Sequence, residues 1–117
     1  MESDYQPHHA LSHGQFYLLL ALLRVGQVSA YTAHTVANNY ACGALEMAQG
    51  QAYKTIRWLV AQGLAEEAGR QFASKHEVMH YRVTKEGIVR VRLEYRRMKF
   101  AMQVIDAHGD LLTAASS

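Results

Sequence analysis

Between Gly50 and Leu64 the sequence reads GQAYKTIRWLVAQGL, and Tyr53, Ile56, Leu59 and Val60 recur at three- and four-residue spacing. That spacing gathers the apolar side chains along one stripe of an α-helix, with Gly63 as its stop. The opposite arc then carries Gln51, Lys54, Thr55, Arg57, Trp58 and Gln62. It contains no carboxylate and consists of groups able to donate hydrogen bonds to phosphates and base edges. A solvated surface helix has the same polarity, so the residues that follow must decide between the two. Leu64 to Ala68 reads as a short strand, Gly69 to Glu77 as a polar loop, and Val78 to Thr84 alternates as a second strand. The loop holds Arg70, Lys75 and His76 without an acid from Gly69 to His76, and its large apolar residue, Phe72, either packs back on the domain or touches a sugar or a second subunit.

Upstream, Ser12 and Gln15 have the spacing of a capping box, with Leu11 and Phe16 as a hydrophobic staple. They open a first helix that runs to about Arg24 and ends at Gly26. Phe16, Leu19, Leu20 and Leu23 form its stripe, and Tyr17, Leu18, Ala21 and Leu22 broaden it enough to bury the helix on more than one side. Ser29 caps a second, short helix from Ala30 to about Asn38, with Tyr31, Thr35 and Val36 facing inward. Ala44, Leu45, Met47 and Ala48 suggest a turn of helix leading into the third, with Gly50 as hinge or N-cap, where free backbone N–H groups can meet a phosphate. Thr84 caps a last helix from Lys85 to about Ala107, in which Ile88, Val91, Tyr95, Met98, Met102 and Ile105 follow spacings of 3, 4, 3, 4 and 3. These are sustained a and d positions. The helix is roughly 35 Å long at 1.5 Å per residue, more than one small domain covers, so the stripe is expected to be a homodimer seam. Its flanks carry Arg90, Arg92, Arg96, Arg97 and Lys99. Three helices, a basic hairpin and a long final helix make an α+β chain, mainly α, with the order of a winged helix-turn-helix.

The expected organisation is a mobile tail over 1–10, a DNA-binding domain over 11–84, a dimerisation helix over 85–107 and a second tail over 108–117. Residues 1–49 contain Arg24 against Glu2, Asp4 and Glu46, whereas residues 50–100 contain eleven Lys or Arg against five Glu. Positive charge is thus concentrated in the half that holds the third helix and the hairpin, as a phosphate backbone requires. The longest apolar run, Phe16 to Leu23, is far short of a membrane span, and the acidic N-terminus lacks a signal-peptide core, so a cytoplasmic protein with no membrane partner is expected. One cysteine, Cys42, excludes an intrachain disulfide and a Cys-based zinc cluster.

The residues Tyr53, Ile56, Leu59 and Gly63-Leu64, preceded by Gly50, closely resemble the YxxLxxLxxxGL signature of PadR-like transcriptional regulators. His80 to Gly87, HYRVTKEG, resembles that family's YYRLTxxG block. At the second helix Ala30-Tyr31-Thr32 stands where the family has Gly-Tyr-Glu, a departure at two of three positions. The resemblance covers about residues 11–107. It implies a small member with a single C-terminal helix: a cytoplasmic homodimer that binds a pseudo-palindromic operator on double-stranded DNA and represses transcription. Some members bind aromatic or drug-like effectors between the subunits, so a small aromatic effector is one partner the resemblance allows.

The sequence shows no nucleotide-binding glycine loop, no pair of metal ligands at helical spacing and no nucleophile with a local partner, and its three aspartates lie near the termini. Neither an enzyme nor a cofactor is expected. In the leading reading Lys54, Arg57, Arg70 and Lys75 meet the DNA backbone, Gln51 and Thr55 reach base edges, and Trp58 shares their arc. Two other readings stay open. One is a protein-interaction module that uses Trp58 and the Tyr95-Met98-Met102 stripe; the other is a small-molecule sensor with a pocket between the first and last helices.

Overall fold

The computed structural model describes residues 9–73, 76–110 and 113. Helix α1 spans His13–Val25, and its start is a full capping box: Ser12 Oγ accepts from the Gln15 N–H at 3.2 Å while Gln15 Oε1 accepts from the Ser12 N–H at 2.9 Å. A short strand, β1 (Val28–Ser29), leads into α2 (Ala30–Tyr40), whose N-cap is Ser29. Helix α3 (Gln49–Ala61) follows, then the hairpin β2 (Ala65–Ala73) and β3 (His76–Val83), then α4 (Lys85–Ala107). The sheet is antiparallel in the order β1-β3-β2, with Val28 opposite Tyr81 and Ala65 opposite Val83.

The core lies where α1, α2 and α3 meet over the sheet. Leu18, Leu19, Leu22, Ile56 and Leu59 are fully buried there, joined by Ala33, Ala37, Ala52, Leu64 and Tyr81. Alanine at the α2 and α3 positions lets the helices approach closely, and this moves the inward faces from the expected ones. On α1 the buried set is Leu18, Leu19, Ala21 and Leu22, while Leu23 is exposed. On α2 it is Ala33 and Ala37, with Tyr31 and Thr35 outside. Strand β1, only two residues long, is too short to leave a periodic signal in the sequence.

The segment from Ala41 to Ala48 forms turns and irregular backbone rather than the expected turn of helix. Helix α3 has Ala48 as its N-cap, with no side-chain cap, and Gly50 lies inside the first turn instead of acting as hinge or cap. The hairpin is longer than expected: most of the stretch assigned to a loop, Gly69 to His76, is strand. Pairing survives the polar residues because Ala68 is accommodated as a bulge between Glu67 and Gly69, and Gly69 takes φ +107, a conformation that glycine adopts without strain.

The two sequence blocks around Gly63-Leu64 and Thr84-Gly87 meet in space. Gly63, at φ +77, turns the chain out of α3; its carbonyl accepts from Thr84 Oγ1 at 2.6 Å, and the Leu64 carbonyl accepts from the Thr84 N–H at 3.1 Å. Thr84 Oγ1 also accepts from the Gly87 N–H at 3.0 Å, capping α4. One threonine therefore fixes the start of the last helix against the end of the third.

Helix α4 buries Gly87, Arg90 and Glu94 against the domain, and every residue from Met98 to Ala107 is exposed. Arg90, expected on the basic flank, is instead buried: its Nε lies 3.3 Å from Glu94 Oε2. The same carboxylate takes Arg97 at 3.3 Å and the Leu11 N–H at 3.0 Å, and Arg90 donates to the His9 carbonyl. The pair is desolvated because α1 and the segment before it close over this turn of α4, and the extra donors satisfy the buried carboxylate. Among the described residues no helix is long and apolar enough to cross a membrane.

Candidate nucleic-acid interface

Helix α3 presents Gln51, Tyr53, Lys54, Arg57 and Trp58 to solvent, with no acid between Gln49 and Ala61. At 3.6 residues per turn Lys54 stands between two flanks, with Tyr53 and Arg57 on one and Trp58 and Gln51 on the other. Two residues exchange roles relative to the sequence expectation. Thr55, expected on the outward arc, is 9% exposed, and its hydroxyl donates to the Gln51 carbonyl at 2.9 Å. Tyr53, expected inward, is 45% exposed, because Ala52 takes the inward position beside Ile56 and leaves Tyr53 at the rim. Gln51 keeps its exposed side chain close to that threonine, with Nε2 3.4 Å from Thr55 Oγ1.

The tyrosine that spacing placed in the core stands instead on the exposed face of α3, against Arg57. Arg57 donates to the Tyr53 hydroxyl at 3.4 Å, and its guanidinium carbon lies 5.8 Å from the centroid of the same ring. The hydrogen bond to Tyr53 is the main cause that holds the Arg57 pKa above its ordinary value. Its signal in the sequence is the Tyr-x-x-x-Arg spacing, which sets the two side chains one turn apart on a helix.

Tyr53 and Arg57 also line a groove between α3, the start of α2 and the hairpin, with Tyr31, Gln49, Arg70, Val78 and Tyr81 on its other walls. The structure thus brings Arg70, from β2, to the same groove as Arg57, although Arg70 was expected on a loop. Glu67 and Glu77 line it as well and temper its positive potential, leaving Lys54 on the more purely basic side. Burial raises the Tyr81 pKa, so its phenol stays neutral at the floor of the groove. Lys75 lies outside the described residues. At the N-terminus of α3 the first backbone bond into the helix is from the Ala52 N–H to the Ala48 carbonyl at 2.9 Å, which leaves the N–H groups of Gln49, Gly50 and Gln51 outside the helical ladder.

The expected dimer stripe is largely bare on this single chain. Ile88, Tyr95, Met98, Met102 and Ile105 are exposed, while Val91 packs partly against the chain's own core. A second exposed apolar set, Val89, Phe100 and Val104, lies on another side of α4 and was not anticipated. Its spacing is interrupted by basic residues, which hides it from a heptad reading.

Helices α1, α2 and α3 followed by the β2–β3 hairpin make a winged helix-turn-helix fold. The chain is similar in structure to a PadR family transcription regulator from Clostridium difficile (TM-score 0.65, 13% identity, covering 82% of this chain and 97% of that one). It is also similar to a transcriptional regulator from Clostridium thermocellum (0.64, 16%, 82% and 89%) and to BpsR of Bordetella bronchiseptica, whose DNA binding is regulated by 6-hydroxynicotinic acid (0.62, 20%, 96% and 84%). No family model matches the chain, and no curated protein sequence matches it.

Proposed function

We propose that this protein is a sequence-specific DNA-binding transcriptional regulator, acting as a homodimeric repressor on an inverted-repeat operator. The observation that carries this reading is the acid-free face of α3, with Gln51, Lys54, Arg57 and Trp58 exposed on a winged helix-turn-helix scaffold. Lys54, Arg57 and Arg70 contact phosphates and supply most of the affinity; Gln51 reads a base edge. Tyr53 orients Arg57, and Lys75 extends the hairpin's contact with the flanking backbone. Two copies join through Ile88, Tyr95, Met98, Met102 and Ile105, with Val91 at the margin of the seam. Support for this pairing comes from the exposed end of α4, where Met98, Met102 and Ile105 present a run of large apolar side chains that the chain's own core does not cover. A gel-shift titration against genomic fragments at several salt concentrations tests the reading. Retention of particular fragments, weakening steeply with salt, is expected; no retained fragment contradicts it.

A small-molecule effector has one specific observation in its favour. Between α1 and α4 lies a cavity of about 320 Å³ lined by Leu11, His13, Phe16, Tyr17, Arg97 and Met98, within the size range of ligand sites. Arg97 on this wall is already held by Glu94, 3.3 Å away and lining the same cavity, while Phe16 and Tyr17, edge to face at 5.5 Å, offer ring surface to a small aromatic compound. BpsR responds to such a compound. A shift in melting temperature on adding 6-hydroxynicotinic acid, absent in Tyr17→Ala, supports an effector of this class; no shift with a panel of small aromatic compounds counts against it.

A further inference from the structure

The segment between α2 and α3 is held at the backbone of one residue, Met47. Asn38, in the last turns of α2, grips Met47 on both sides: its Nδ2 donates to the Met47 carbonyl at 3.0 Å and its Oδ1 accepts from the Met47 N–H at 3.0 Å. His34, one turn earlier, places Nε2 2.6 Å from the same carbonyl. A carbonyl only accepts, so this nitrogen carries the proton, and Nδ1 is left as a bare acceptor. That Nδ1 is buried with no hydrogen-bond partner. Asn38 alone already gives the Met47 N–H and C=O a partner each. His34 fills the carbonyl's second lone pair while leaving its own ring nitrogen unpaired, an arrangement that serves placement more than satisfaction.

Met47 is the residue before the N-cap Ala48, and its side chain is buried in the core. The chain is therefore fixed by side chain and backbone together immediately before the uncapped first turn of α3. His34 also faces the interface from behind: its ring lies 6.0 Å from that of Tyr31, which is 59% exposed and shares the α3–hairpin groove with Gln49 and Tyr53.

We propose that His34 and Asn38 are positioning residues for DNA recognition, which by holding the Met47 backbone from α2 set where the first turn of α3 stands against the base edges of a half-site. This rests on the regulator reading above. The test compares Asn38→Leu and His34→Leu with the wild type in anisotropy titrations on a retained genomic fragment and on random duplex of equal length. Folding is checked by circular dichroism. Both variants are expected to bind the retained fragment roughly tenfold more weakly, the scale of a single base-edge hydrogen-bond pair, while random-duplex affinity and its salt slope stay at the wild-type value. His34→Gln keeps a donor near the position of Nε2 and is expected to restore discrimination. Folded variants that bind both duplexes as the wild type does, or that lose both affinities alike, overturn the proposal. Should the leucine variants fail to fold, Asn38→Asp keeps the acceptor for the Met47 N–H and loses the donor, and it must lose discrimination where His34→Gln does not; equal behaviour of the two overturns it. If the wild type retains no DNA the regulator reading fails, and hydrogen exchange reads the clamp separately. Faster exchange over 47–51 in His34→Leu than in His34→Gln supports the clamp, and equal exchange contradicts it.

Discussion

Gly87 has no room for a side chain: a Cβ there would stand 2.1 Å from the Leu64 carbonyl oxygen and 2.6 Å from a Val83 methyl. Both neighbours belong to parts of the fold that the Thr84 hydrogen bonds hold in place, so the clash is not relieved by rotating a side chain. Gly87→Ala is expected to destabilise by about 2 kcal/mol or more, a fall in melting temperature of roughly 8 °C in a thermal scan. An unchanged melting temperature would show that α4 is free to shift away from the α3–β2 turn. Glu94 is a second such residue, since its carboxylate takes Arg90, Arg97 and the Leu11 N–H in a buried setting. Glu94→Ala leaves the Arg90 guanidinium buried without that carboxylate and should cost about 3 kcal/mol or more in urea unfolding. At this scale the sequence was legible where a residue's chemistry admits one role, as for Ser12, Gln15, Gly63 and Thr84. It misled where size and polarity pull apart. Tyr53 has an apolar ring and a polar tip, and Thr55 is small enough to bury once its hydroxyl finds the Gln51 carbonyl, so spacing alone ordered the two wrongly.

Helices α1 and α4 were visible in the sequence because a cap and apolar spacing coincide in each, α2 showed through its cap and α3 through its spacing, and α4 spans Lys85–Ala107 as its pattern indicated. The elements that sequence hid are those whose stability comes from neighbours. Strand β1 exists by pairing Val28 and Ser29 with Tyr81 and His80, and the outer half of the hairpin is strand because β2 and β3 pair through Phe72 and Glu77 despite their polar surroundings. The start of α3 was likewise hidden, since Ala48 gives no capping signal and the anchor on Met47 comes from α2. Helix α3 carries the prediction at this scale. Lys54→Ala and Arg57→Ala should each flatten the dependence of log affinity on log salt by about 0.9 for every phosphate left without its cation in each subunit, weakening all duplexes alike. Gln51→Ala should instead blunt discrimination between retained and random fragments. Slopes unchanged by both cation substitutions would remove α3 from the DNA interface.

As a whole the molecule is a small domain with a helix that outruns it. The extents of 57 × 39 × 20 Å reflect the end of α4 from Met98 to Ala107, which lies clear of the chain's own core. Seated on a second copy about a two-fold axis, the exposed stripe would be covered and two α3 helices would face one side of a duplex. Met98→Asp combined with Met102→Asp would place like charges across that seam and should give a monomer by sedimentation at tens of micromolar, where the unsubstituted chain is expected to be a dimer; a native monomer would refute the seam. The pairing also fixes the spacing of the DNA site. Footprinting on a retained genomic fragment is the most direct measurement of the proposed function: two protected half-sites in inverted repeat are expected, with centres about one helical turn, roughly 10 bp, or a multiple of it apart, and protection extending beyond each half-site under the hairpin. A single short protected site without a dyad, or a protein that protects no DNA, would contradict it.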